Sequence, residues 1–209
     1  HDGHLTDEDF QIDTFLSGPL QSNLFLGIQS RTRLSGSSLI EDRLRGILFV
    51  ELQPAPWLQL SSNLVAGETF DFANDRPADV LFVSPRAEIK PGRRVNLQLD
   101  HTLQDLDVEG GDLTTANLSQ LRLVYNFNVR TFFRAILQYR DIERDPALYE
   151  FPVEPTSESL LSQLLLSYKL NPKTVLFLGY TENQLGLDRF DLVRTNRTFF
   201  FKMGYAWTL

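Results

Sequence analysis

RTFFFKMGYAWTL, residues 197–209, is the stretch that decides the fold. Every second residue from Phe199 to Leu209 is aromatic or apolar, whereas the residues between them are mostly smaller or polar. Because successive side chains of a β-strand point to opposite sides, this period of two predicts a strand with one apolar face. An aromatic outward row is typical of the closing strand of an outer-membrane barrel, but a soluble β-sandwich would give the same row.

The composition allows a membrane protein only if the chain crosses the bilayer with strands. Of the 209 residues 42% are hydrophobic, yet no apolar run approaches the roughly 18 residues that a membrane helix needs. The net charge of −7 argues against a nucleic-acid partner, and the absence of cysteine excludes disulfides and thiolate metal sites. The opening HDGHLTDEDF does not form a signal peptide, so we expect a mature or trimmed start.

Compact turn signals recur roughly every 40 residues, which predicts one long β-hairpin per interval. They lie at 17–19, 54–56, 91–92, 128–130 and 171–173. Between them lie ten segments of alternating apolar and polar residues, each about 9–13 residues long, as tilted membrane strands require. Long polar connections, predicted at 35–42, 67–79, 104–116, 141–158 and 182–195, alternate with the turns.

The alternation of short and long connections favours a barrel over a sandwich. In bacterial barrels the short turns are periplasmic and the long loops are extracellular. The sequence therefore predicts an all-β fold over residues 18–209, an antiparallel transmembrane β-barrel with about ten visible strands that is part of a larger barrel. Residues 1–17 are acidic and predict either an N-terminal arm or a partial strand.

The polar side of each predicted strand is the side that faces the lumen. A Lys or Arg on the lipid side would cost about 2–4 kcal/mol near the bilayer midplane, which explains why the alternation is kept. Two interpretations remain open, a positively lined selective passage and an ion-pair network that braces a narrow barrel. The predicted lumen-lining residues are Arg31, Arg33, Arg43, Arg45, Glu51, Arg86, Glu88, Asp100, Arg122, Arg134, Lys169 and Lys202.

Catalytic and metal-binding patterns are weak in this sequence. The segment 105–112 places acidic residues at alternate positions and a glycine at the sixth, as calcium loops do, but its twelfth position is Ala116 rather than a glutamate. Asp105, Asp107 and Glu109 are therefore only a weak candidate metal site, and we expect neither a metal nor a cofactor. No serine or aspartate can be grouped with a histidine, so we expect that the protein is not an enzyme.

Three blocks carry a family resemblance: LSQLRLVYNFNVRTFFRAILQYRD (118–141), LLSQLLLSYKLNPKTVLFLGYTEN (160–183) and NRTFFFKMGYAW (196–207). They resemble the C-terminal β-barrel domain, a domain of unknown function, of bacterial outer-membrane proteins that carry an N-terminal carbohydrate-binding family 9-like domain. The resemblance implies a sugar-binding-like module and further strands before residue 1, and it assigns no residue of this chain to carbohydrate. The last strand also resembles the signal that the barrel-assembly machinery reads, with Leu209 in place of the usual Phe; its residues are Phe201, Met203, Tyr205, Trp207 and Leu209.

These patterns together predict an outer-membrane channel or transport component, for saccharides or within a larger envelope complex. Two alternatives stay open, a non-conducting structural anchor or interaction platform in the same membrane and a soluble lipocalin-like ligand-binding barrel. The expected partners are outer-membrane lipid and lipopolysaccharide, the barrel-assembly machinery and other envelope proteins, without nucleic acid. The expected location is the bacterial outer membrane of a Gram-negative cell.

Overall fold

A computed structural model describes residues 7–35, 38–186 and 192–206 as one antiparallel sheet of eleven strands that follow one another in sequence order. Apart from these strands, the described residues contain a single 3-10 turn, Pro146–Leu148. No helix in these ranges is long and apolar enough to cross a membrane. The strands are β1 (Asp7–Gly18), β2 (Ser22–Ser35), β3 (Ser38–Ala55), β4 (Leu58–Asp71), β5 (Arg76–Ile89), β6 (Val95–Val108), β7 (Gly111–Asn126), β8 (Thr131–Arg144), β9 (Thr156–Asn171), β10 (Thr174–Gly186) and β11 (Val193–Tyr205).

The strands are longer than those of most globular proteins. They run from 12 residues in β1 to 18 in β3, whereas globular strands usually have about five or six. A membrane strand tilted by about 45° needs only about 9–11 residues, so each strand is long enough to cross a bilayer and continue beyond it.

Cross-strand register separates the side chains into two faces. Residues paired directly across strands share a face, so Gln59, Glu88, Gln98 and Arg122 lie together on one side, which we call the inner face. The opposite side, the outer face, carries a continuous apolar row formed by Leu58, Ile89, Leu97, Leu123, Ala135 and Leu164.

The outer face has no protein core packed against it. Among the described residues only Ala78 and Leu113 are buried apolar side chains, whereas Phe199 and Phe201 are 70% and 68% exposed. An apolar surface this extensive is not stable in water, and it matches the lipid-facing band of a membrane barrel.

Two details of the architecture differ from the sequence-based expectation. The structure has eleven strands rather than ten, because β1 occupies most of the segment for which an arm or partial strand was left open. The long connections are also shorter than predicted: the polar segments 67–79 and 104–116 are mostly strand, leaving only 72–75 and 109–110 as connections. Their charged residues continue the backbone ladder, as in the pair Glu68 and Asp79, so polar composition here does not indicate a loop.

The remaining predicted connections follow the same trend. Segment 141–158 is reduced to 145–155. Strands also enter 35–42 and 182–195 from both sides, and the centres of these two segments, 36–37 and 187–191, lie outside the described residues.

The two edges of the described sheet run in the same direction. Each of the eleven strands is antiparallel to the next, so β1 and β11 are parallel to each other. A fully antiparallel closure between these edges needs an odd number of further strands. The described sheet is therefore a barrel wall that is open between β1 and β11.

Candidate functional site

The inner face gathers the charged residues that the sequence predicted to line a lumen. Register places nine of the predicted residues on this face: Arg45, Glu51, Arg86, Glu88, Asp100, Arg122, Arg134, Lys169 and Lys202. Arg31 and Arg33 belong to β2 and Arg43 to β3, but their side chains lie outside the described part of the structure. That these side chains line a passage stays a prediction.

Several described charges on the N-terminal half of the inner face are held in local networks. The Arg45 guanidinium donates to the Gln29 side-chain oxygen at 2.6 Å, and the Gln29 amide donates to both oxygens of Asp9 at 2.9 and 3.0 Å. Arg86 forms an ion pair with Asp100. The Asp100 carboxylate balances the charge of Arg86, and Arg45 is linked to Asp9 through Gln29, so both cations connect neighbouring strands.

A second ion pair lies nearby at the end of β5. Lys90 contacts the Glu88 carboxylate at 2.8 Å, and Asn96 donates to the same carboxylate at 3.0 Å. Predicted acidic residues on β5 and β6 are thus used as counter-charges on this half of the face.

Cations on the C-terminal half of the inner face are not balanced in this way. Arg122, Arg134, Lys169 and Lys202 form no ion pair with a carboxylate within the described ranges. Their strands present mainly neutral groups between them, such as Gln163, which shares the row of Arg122. Among the described side chains, ion pairs therefore lie on the N-terminal half of the inner face, whereas the C-terminal half carries cations without a carboxylate partner.

Additional cations that the sequence analysis did not select lie at one end of the inner face. This end, which we call the lower end, is formed by the connections 19–21, 56–57, 90–94, 127–130 and 172–173. Arg93, Arg94 and Arg130 belong to these connections and line a cavity of about 810 Å³ together with Lys169. The sequence signals at Pro91-Gly92 and at 128–130 were interpreted only as turns, and the neighbouring arginines come together only through the register of β5–β10.

The connection 145–155 at the other end, the upper end, folds back towards β4 and β5. Asn74 accepts a hydrogen bond from the Glu150 backbone N–H at 3.0 Å, and Arg76 donates to the Leu148 carbonyl at 2.5 Å. Asp71 holds both anchors, because it accepts from the Asn74 amide at 2.6 Å and from Arg76 at 3.2 Å. Burial alone would raise the pKa of Asp71, but these hydrogen bonds outweigh burial and leave that pKa below its usual value.

The weak candidate metal site is not assembled as a calcium loop. Asp105 and Asp107 lie within β6, and only Glu109 lies in the following connection. The Asp105 carboxylate accepts a hydrogen bond from the Thr115 hydroxyl at 2.7 Å. A hydrogen bond between β6 and β7 therefore holds this carboxylate. No group of three or more potential ligand side chains in the described ranges is arranged to hold a metal.

The predicted assembly signal forms an exposed row on β11. Phe201, Met203 and Tyr205 are 68%, 64% and 55% exposed on the outer face, while Trp207 and Leu209 lie outside the described residues. Recognition of this row by the barrel-assembly machinery stays a prediction.

Comparison with known proteins gives structural likeness alone, since no protein-family profile and no curated sequence matches the chain. In-vitro folded OmpT, an outer membrane protein of Vibrio cholerae, is 14% identical, with a TM-score of 0.51 over 89% of this chain and 64% of that one. Its loop L8 deletion mutant gives 14% identity and a TM-score of 0.50 over 89% and 62%. The NanC porin is 8% identical, with a TM-score of 0.38 over 96% and 94%.

The likeness to OmpT concerns the fold and does not bear on catalysis, so the expectation that the chain is not an enzyme stays a prediction. The chain spans 64% of the length of OmpT. Eleven long antiparallel strands, an apolar outer face and a polar inner face together make this chain a wall of an outer-membrane β-barrel, and the bacterial outer membrane is the location that this fold indicates.

Proposed function

We propose that the chain forms the wall of an outer-membrane passage that favours anionic solutes. The observation that supports this proposal is the excess of unpaired cations on the C-terminal half of the inner face, at Arg122, Arg134, Lys169 and Lys202. Rings or rows of Arg and Lys attract anions into pores and repel cations, because few counter-charges screen them inside a narrow channel. Acidic saccharides would combine this preference with the saccharide transport expected from the family resemblance.

A non-conducting anchor is the second candidate, and the paired half of the inner face favours it. Arg86 with Asp100 and Arg45 with Gln29 and Asp9 bind neighbouring strands together, as a bracing network would. Bracing alone does not require the unpaired cations, since each uncompensated positive charge repels its neighbours. The two candidates therefore differ in what the unpaired cations do.

Reversal potentials across a planar bilayer distinguish the candidates, using the full protein extracted in its native assembly and a potassium chloride gradient. If excess cations line the passage, the reversal potential has the same sign as the equilibrium potential of chloride. Replacing Arg122→Gln and Arg134→Gln together should move that potential towards zero.

The matched control replaces both members of an ion pair, Arg86→Gln together with Asp100→Asn, and so leaves the net charge of the inner face unchanged. We expect this control to keep the selectivity of the unaltered protein. A protein that inserts but carries no current would refute the passage and favour the anchor. Equal selectivity in both double variants would refute the role of the unpaired cations.

A further inference from the structure

The cavity at the lower end of the inner face combines positive charge with an aromatic floor. Four cations contribute to it, Arg93, Arg94, Arg130 and Lys169, and its lining contains no carboxylate. With a volume of about 810 Å³ it lies in the size range of small-molecule sites, which is about 300–1,000 Å³.

The aromatic floor follows from the register of three strands. Phe132 on β8 and Phe177 on β10 are both direct cross-strand neighbours of Ser167 on β9. Because serine is small and only 3% exposed here, the two larger rings stand on either side of a depression. Apolar side chains in a concave site provide surface that the apolar part of a ligand can bury.

Backbone hydrogen bonds fix the segments that carry the cations. The Lys169 N–H donates to the Arg130 carbonyl at 2.7 Å, which ties the connection 127–130 to β9. Asn128 accepts from the N–H of Arg130 at 2.8 Å, and the Arg94 carbonyl accepts from the Asn126 N–H at 2.7 Å. A site whose backbone is already ordered loses less entropy when a ligand binds.

We infer that this cavity, which we call the mouth pocket, binds an organic anion that joins a carboxylate, sulfonate or phosphate group to an aromatic or aliphatic body. The cations face the charged group and the two phenylalanines contact the apolar body. A small inorganic anion would leave the aromatic floor in water, and an uncharged aromatic would leave the cations without a partner. The ligand class therefore needs both parts in one molecule.

The inference goes beyond the proposed passage, because binding in the mouth pocket does not require conduction. A protein that carries no current but still binds such an anion would refute the passage and leave the pocket intact. A conducting protein without this binding would refute the pocket alone.

The test uses the full protein in nanodiscs of zwitterionic lipid and 4-fluorobenzoate as the probe, with binding measured from ¹⁹F line broadening. We expect saturable binding of 4-fluorobenzoate and much weaker binding of 4-fluorobenzyl alcohol, which has the ring without the charge. Acetate, which has the charge without the ring, should compete poorly. Raising the ionic strength from about 0.05 to about 0.5 M should weaken the binding, because the cations are exposed.

Variants assign the binding to the mouth pocket. Replacing Arg130→Gln and Lys169→Gln together should weaken 4-fluorobenzoate binding about tenfold, given the modest strength of two exposed ion contacts. Phe177→Ala should weaken it as well, with recovery in Phe177→Leu. Arg140→Gln is the matched control, because Arg140 is an exposed inner-face cation nearer the upper end and should leave binding unchanged.

Three outcomes would overturn the inference: no saturable binding, equal binding of the acid and the alcohol, or equal affinity in the Arg130 and Lys169 double variant. If that double variant does not assemble, a salt-independent affinity of the unaltered protein overturns it instead. Nanodiscs that contain anionic lipid separate the two sources of such a ligand. If the anionic lipid displaces 4-fluorobenzoate, the ligand of the mouth pocket is a lipid headgroup with its chain. If binding is undiminished, the ligand is a soluble anion.

Discussion

Gly67 is the glycine whose replacement should damage the sheet most. Its φ is +133°, and a Cβ built there would lie 2.3 Å from the Leu44 carbonyl oxygen and 2.9 Å from the Arg45 Cα. Both atoms are backbone, so the clash can be relieved only by moving β3 away from β4. The dihedral strain is about 1–3 kcal/mol, and loss of one or two ladder hydrogen bonds adds to it, so Gly67→Ala should lower the free energy of unfolding by about 3–4 kcal/mol.

Two other glycines separate the strain from the clash. Gly111 has a φ of +134° with no atom within 4 Å of a built Cβ, so Gly111→Ala should show the dihedral cost of about 1–3 kcal/mol alone. Gly46, on β3 beside the same ladder, needs no positive φ and would meet only the Ala66 carbonyl oxygen at 3.7 Å. Gly46→Ala should therefore change stability by less than about 0.5 kcal/mol.

Urea unfolding in lipid vesicles, followed by tryptophan fluorescence and by the heat-modifiable mobility of folded barrels on gels, measures the stability of all three variants. The expected order of stability is Gly46→Ala, then Gly111→Ala, then Gly67→Ala. Equal stability of the Gly67 and Gly111 variants would mean that β3 and β4 separate without cost, and the argument from backbone clash would be refuted.

Three further predictions concern the upper end and the β10–β11 ladder. Asn74→Ala removes the acceptor of the Glu150 N–H, so cleavage of 145–155 by chymotrypsin at neutral pH should rise about fivefold, as expected for a hydrogen bond of about 1 kcal/mol. Folding lowers the pKa of Asp71 from 3.8, so the stabilisation that the Asp71 carboxylate gives is present above pH 3.8 and is lost as the pH falls through the lower folded pKa. Pepsin should then cut 145–155 faster as the pH is lowered below 3.8. A cleavage rate that does not change with pH would contradict this. Gly179→Ala would place a Cβ against the Phe200 ring and displace the ring. This displacement should lower the free energy of unfolding by about 1 kcal/mol in urea titrations. An unchanged unfolding midpoint would mean that the ring moves aside without cost.

The period of two was sufficient to predict ten of the eleven strands, their faces and the lower-end turns, whereas β1 was left open. All five turn signals coincide with connections at the lower end, because Pro, Gly and Asn constrain the backbone locally and act within a few residues. The long connections predicted at 67–79 and 104–116 were wrong, because the charge of these segments was taken to indicate solvent-exposed loops, whereas a connection of several residues is present within 141–158. Arg86 contacts a carboxylate and Arg122 does not. This difference depends on the register of the strands, which a single sequence determines only weakly.

The outer face shows why charged segments at the upper end form strands. Moving up β4 and β5, outer positions change from apolar at Leu64 and Val83 to acidic at Glu68 and Asp79. Asp79 in turn is paired with Asp107. Directly opposed like charges are unfavourable, and charged groups near the bilayer midplane are costly, so these carboxylates cannot lie in hydrocarbon. A hydrogen bond with Asp112, together with burial and neighbouring carboxylates, raises the pKa of Asp107, as expected for crowded acids in an aqueous rim.

The inner face changes in the opposite sense at the same level. Val80 and Leu106 are paired on it, and Ala78, farther up the same row of β5, is only 6% exposed. Apolar side chains inside and carboxylates outside are the pattern of a protein surrounded by water, whereas lower down the same strands have the reverse pattern of a protein surrounded by lipid. We therefore expect β4, β5 and β6 to cross from lipid into water, with the reversal of polarity between Leu64 and Glu68 marking the level at which β4 leaves the bilayer. The connection 145–155 is anchored to Asn74 and Arg76 above that level, so it belongs to the water-exposed rim of the sheet.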